Sequence, residues 1–141
     1  MSEHLKIEPS SIARHFADAL DKDDFASAEG LLASTCLYQA RNVELSGAAA
    51  VIGSYREASV WAKGNLDVIE YASQVEVVTE SQATVIFIDH ITHQGKSHTY
   101  QCRQVLSLGA AGRIEHIRHI EIPGQREALR EFLAAVGLSR S

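Results

Sequence analysis

A chain of 141 residues with 45% hydrophobic and 22% charged residues has the size and composition of one domain with its own core, spanning residues 1–141. Its net charge of −5, with thirteen basic residues scattered among eighteen acids, argues against a nucleic-acid partner, which would meet a basic stripe. No apolar stretch reaches bilayer length, and the opening MSEHLKIEPSS has neither the basic start nor the apolar run of a secretion signal.

These features predict a cytoplasmic protein without a membrane partner. Cys36 and Cys102 are too few for a disulfide framework and sit in no CxxC spacing, so both are expected as reduced thiols.

Pro9-Ser10-Ser11 opens a first helix with Ile12, Phe16, Ala19 and Leu20 on one face. Asp21-Lys22-Asp23-Asp24 interrupts it, and Phe25, Ala28, Leu31 and Leu32 mark a second, short amphipathic helix. A strand over Thr35 to Arg41 follows. Ser46-Gly47 then leads into a third helix that buries Val51, Ile52, Tyr55, Ala58, Ser59 and Ala62. After Lys63-Gly64-Asn65 comes a meander whose first strand covers Leu66 to Val78.

Its next runs, ATVIFIDHITHQ, SHTYQCRQVLSL and GRIEHIRHIEIP, are rich in β-branched and aromatic residues. Pro123-Gly124 ends the last strand, and a final helix carries Ala128, Leu129, Phe132, Leu133 and Val136. The order α-α-β-α-β-β-β-β-α is an α+β arrangement. Both faces of the meander carry apolar residues, yet ionisable groups recur within it. That pattern fits helices on one side, a partner on the other, and a cavity.

A two-residue turn at Gly95-Lys96 would set His93 opposite His98, Asp89 opposite Cys102 and Phe87 opposite Gln104. A four-residue loop from Gly109 to Gly112 would set Cys102 opposite His119, Tyr100 opposite Glu121 and Gln104 opposite Ile117. One face then gathers Asp89, Cys102, His119, Tyr100, Glu121, Phe87, Gln104, Ile91 and Ile117. Asp89 and His119 would lie about 9–10 Å apart with a strand between them, room for a substrate shared by a base and an imidazole. The opposite face pairs Arg103 with Arg118 among Ile86, Ile88, Val105 and Ile120. A dimer interface would resolve its repulsion and apolarity.

Other chemistry finds less support. His90 and His93, like His116 and His119, are three apart, so on a strand they point to opposite faces, and no metal site is expected. Cys102 beside His119 has no glycine-rich turn or helix start to stabilise an oxyanion, which favours a core cysteine over a nucleophile. No GxSxG elbow occurs, and Gly109-Ala110-Ala111-Gly112 reads as a hairpin turn. Tyr55 and Trp61 on the third helix could floor the cavity, and Tyr38 on the first strand could orient a ligand.

The element order, the Ser46-Gly47 lead into the third helix, Gly112-Arg113-Ile114, and IEHIRHIE before a closing helix resemble the nuclear transport factor 2-like superfamily. The resemblance is in particular to its SnoaL-like bacterial branch and spans about residues 8 to 138. The resemblance implies a cone, in which a curved, mostly antiparallel sheet wraps N-terminal helices, the C-terminal helix closes it, and the outer face dimerises. Against the limonene epoxide hydrolase-like pattern, Tyr38 matches the tyrosine and Asp89 one aspartate. His119 stands where the second aspartate would be and Phe87 where the arginine would be, which argues against epoxide hydrolysis.

The ketosteroid isomerase pattern finds His15 and Phe16 where it wants a helix tyrosine, and Glu44 for its base. Asp89 with His119 loosely matches the carboxylate and histidine of SnoaL-type cyclases. The resulting expectation is a homodimeric small-molecule-binding protein doing cofactor-free acid–base chemistry, as an isomerase, cyclase, hydratase or hydrolase. Asp89, His119 and Tyr38 would be catalytic. Tyr55, Trp61, Phe87, Tyr100, Cys102, Gln104, Ile117 and Glu121 would bind the ligand. The alternative is a non-catalytic ligand-binding or dimerisation module of the same fold.

Overall fold

The computed structural model describes residues 8–138; the segment read above for a secretion signal lies largely outside them. Helix α1 (Pro9–Asp21) starts on a proline, whose fixed φ suits the first turn, and buries Ala13, Phe16, Ala17, Ala19 and Leu20. Asp23 turns the chain at φ 58°, and the Asp24 carboxylate caps α2 (Phe25–Gly30) by accepting from the Ser27 amide. Strand β1 (Leu32–Ala40) follows, then an unforeseen short strand, β2 (Val43–Ser46), folded back on it. Asn42 makes that turn at φ 62°, a conformation asparagine tolerates.

Gly47, at φ 99°, swings the chain into α3 (Ala48–Asn65), and its amide donates to the Cys36 carbonyl at 2.8 Å. A side chain there would be strained by that backbone. The meander comprises β3 (Val68–Val77), β4 (Gln82–His93), β5 (Lys96–Leu108) and β6 (Ile114–Glu121), and α4 (Gln125–Ala135) closes the chain.

The six strands form one open mixed sheet in the order β2-β1-β6-β5-β4-β3. All neighbours are antiparallel except β1 and β6, where Tyr38 lies beside Ile117 in parallel register. Helices α1 and α3 pack on the inner face and α4 packs against β5. Phe16, Ile52, Leu106, Ile114, Ile117 and Val85 are fully buried between them. A second cluster under α4 joins Ala62, Leu66, Ile91 and Leu133. This is an α+β cone.

The strand register differs from the sequence expectation by two residues at each hairpin. Gln94 and Gly95, at φ 51° and 76°, form the first turn, so His93 faces Lys96, Asp89 faces Tyr100 and Phe87 faces Cys102. Beyond the second turn the pairing shifts at Ser107/Leu108. Cys102 therefore faces Glu121, Gln104 faces His119 and Leu106 faces Ile117. A two-residue slip preserves side-chain alternation, so the residues expected on one face do share it. Their cross-strand neighbours change. Arg103 faces Ile120 and Arg118 faces Val105, so the two guanidiniums are not directly opposed.

Candidate functional site

The inner face, α1, α3 and α4 enclose a chamber of about 360 Å³. Its wall includes Tyr38, Tyr55, Trp61, Phe87, Asp89, Tyr100, Cys102, Gln104 and His119. Two expected members are elsewhere. Ile117 is fully buried in the core, and Glu121 lines an adjoining outer chamber of about 520 Å³. Tyr38, Tyr100, His119, Leu129 and Leu133 border both chambers, so the two adjoin there.

The register places Asp89 between two phenols, paired with Tyr71 on β3 and Tyr100 on β5. Its separation from His119 is larger than expected. From Tyr100 to Gln104 is about 13 Å along the strand, and two strand spacings add about 10 Å across, giving roughly 16 Å on a flat sheet. Curvature brings both side chains onto one chamber, but at opposite ends.

At the His119 end the polar groups are locked together. The Tyr55 hydroxyl donates to Gln104 Oε1 at 2.6 Å, which turns Gln104 Nε2 toward His119 Nδ1, 3.2 Å away. With Nδ1 accepting, the neutral ring carries its proton on Nε2. Burial pulls the His119 pKa below its ordinary value, so this neutral form persists at physiological pH. Tyr38 and Phe16 meet the Tyr55 ring edge-on at 6.1 and 5.9 Å and hold it in place.

At the Asp89 end, the Tyr71 hydroxyl donates to Ser59 Oγ at 3.0 Å, and Ser59 donates to Asp23 Oδ1 at 2.8 Å. Lys63 pairs with the other oxygen of Asp23. Nearby, Ser73 donates to Asp21 at 2.7 Å, and Arg14 reaches Ser73. Burial raises the Asp21 pKa. Sequence reasoning missed Asp21 and Tyr71 as wall residues. Asp21 was absorbed into an acidic helix break, and placing Tyr71 required the β3–β4 register.

Every phenol here is harder to ionise than usual. Burial pushes Tyr38 up to about 12 and raises Tyr55, Tyr71 and Tyr100. All four remain hydrogen-bond donors at neutral pH. Burial, then the charge of Asp89, pushes the Cys102 thiol up to about 12. It faces Phe87 and Glu121 rather than His119, so it is a wall residue and not an activated nucleophile. Among the described residues, the inner chamber is lined by two acids, Asp21 and Asp89, and no lysine or arginine.

An open curved sheet with helices over its concave face and a pocket in its mouth is the nuclear transport factor 2-like cone. Two structural neighbours are described only as NTF2-like proteins of unknown function. A candidate polyketide cyclase from Xanthomonas campestris superposes with a TM-score of 0.68 at 12% identity, covering 94% of this chain and 98% of that one. An LEH-like epoxide hydrolase from Mycobacterium tuberculosis gives 0.65 at 15% identity, covering 93% and 96%.

A further Mycobacterium tuberculosis protein, in complex with estradiol-17beta-hemisuccinate, gives 0.61 at 12% identity, covering 84% and 97%. No family model and no curated protein matches the chain. At these identities the likeness is one of fold. Among the described residues, no helix is long and apolar enough to cross a membrane and no metal-holding cluster of His, Cys, Asp and Glu occurs.

Proposed function

We propose that this protein binds a small, partly apolar organic molecule and moves a proton on it without a cofactor, as an isomerase, cyclase, hydratase or hydrolase does. The observation that carries the reading is the Tyr71–Asp89–Tyr100 row facing the chamber. Asp89 takes a proton from a carbon beside a carbonyl, and the electron pair moves onto the carbonyl oxygen. The neutral phenol of Tyr100 donates to that oxygen, and the carboxylic acid returns the proton elsewhere on the substrate. At the far end, His119 Nε2–H and the Tyr38 hydroxyl orient the ligand. The candidate cyclase and the epoxide hydrolase of the same fold support a small-molecule chemistry, and the steroid-conjugate complex supports a partly apolar ligand.

Deuterium exchange tests this. With 2-tetralone in heavy water followed by NMR, the wild type speeds exchange beside the carbonyl, and Asp89→Asn cuts that by about 10²-fold or more. Equal exchange by both proteins refutes the role of Asp89. The second reading, a non-catalytic binding module, draws on the Tyr55–Gln104–His119 network, which ties polar groups to one another. It predicts ligand binding with no catalysed exchange.

The outer sheet face supports a homodimer: Ile86, Ile88 and Ile120 stay partly exposed there in the single chain, an apolar strip that a second copy would cover. Sedimentation showing a monomer refutes that arrangement. Two free thiols, Cys36 and Cys102, fit a reducing compartment such as the cytoplasm.

A further inference from the structure

The outer chamber has the opposite electrostatic character to the inner one. Arg41, from the β1–β2 turn, and Arg126 and Arg130, from α4, line it together with a single acid, Glu121. Glu121 is already engaged, accepting from Arg126 at 2.8 Å, and that bond holds its carboxyl below the usual range. Arg130 makes no hydrogen bond or ion pair to any described residue, and Arg41 senses Glu121 only at longer range.

Arg126 and Arg130 are four apart on one helix and so present their charges on one side of it. This excess of positive charge occurs in a chain whose net charge is −5. It also adjoins a largely apolar chamber whose charged wall residues, among the described residues, are the acids Asp21 and Asp89. An anion would be repelled from Asp21 and Asp89 and drawn to the mouth.

From this polarity we infer that the natural ligand is an apolar carboxylate, its body in the inner chamber and its carboxylate held by Arg41, Arg126 and Arg130. The inference rests on the small-molecule reading of the inner chamber and narrows its ligand class. The planar guanidinium fork suits a carboxylate, and fixing it at the mouth sets which carbon reaches Asp89.

Calorimetric titration with a matched pair of probes tests it: 1-naphthaleneacetate and its neutral amide, 1-naphthaleneacetamide. The wild type should bind the acid about tenfold more tightly than the amide, a ratio that narrows as salt is added. Arg41→Gln combined with Arg130→Gln should bring the ratio to about one while amide affinity is kept. Both arginines are exposed, so the fold should survive the change. Equal binding of the two probes by the wild type, or an undiminished preference in the variant, overturns the carboxylate site alone. Failure of both probes to bind overturns the small-molecule reading, and the inference with it.

Discussion

Replacing Gln104 with leucine tests the central network by an amount that follows from its geometry. Gln104 is 3% exposed and joins Tyr55 to His119 through contacts of 2.6 and 3.2 Å. Gln104→Leu keeps the approximate volume, removes both hydrogen bonds and leaves a buried phenol without an acceptor. At about 1 kcal/mol for each of the two bonds and a further 1–2 kcal/mol for the orphaned hydroxyl, the loss is about 3–4 kcal/mol. For a chain of this size that lowers Tm by roughly 12–16 °C.

Tyr55→Phe removes the orphan, so in the double variant the two costs should overlap by about 1–2 kcal/mol. Urea unfolding of the four proteins measures the overlap. Nitrogen NMR should show the His119 proton on Nε2 in the wild type and a mixture of tautomers in Gln104→Leu. Costs that add to within about 0.5 kcal/mol, or a proton on Nδ1 in the wild type, would refute the network.

Other outcomes follow from single residues. His119 is held below the ordinary histidine value by burial, so on acidification the unfolded chain takes up that proton first. Stability therefore falls as pH drops from about 6.5 toward the folded pKa, and His119→Gln should flatten that part of a urea-stability profile. Phe16→Ala, at a fully buried position on α1, should cost about 3–5 kcal/mol; a loss below about 1 kcal/mol would contradict its place in the core. His98 stacks on Phe132 at 5.1 Å with its buried Nε2 unpartnered among the described residues. His98→Phe keeps the stack and removes the orphan, so Tm should rise, by about 1 kcal/mol of stability, and a fall would count against the reasoning.

The alternation of side chains made the sheet faces legible before the register was. Asp89, Tyr100, Cys102, Gln104 and His119 share a face in either pairing because a slip of two preserves parity. The partners were not legible, because a glutamine at φ 51° gives no turn signal of the kind asparagine or glycine gives. Strand β2 was within reach: Asn42 is a good left-handed turn residue, and Val43-Glu44-Leu45 alternates after it. The arginine rim was not, since Arg41 and Arg130 come to line one chamber only once α4 has folded back over β5.

The parallel pairing of β1 with β6 also governs when the pocket can exist. More than half of the chain separates Tyr38 from its neighbour Ile117, whereas β3, β4 and β5 join through short local turns. Local hairpins can form while synthesis is under way, but contacts so distant in sequence must wait. A growing chain on the ribosome thus holds β1 as an exposed edge, with half of its future cavity unmade. Ligand cannot template the early stages of folding; it can reward only the finished molecule.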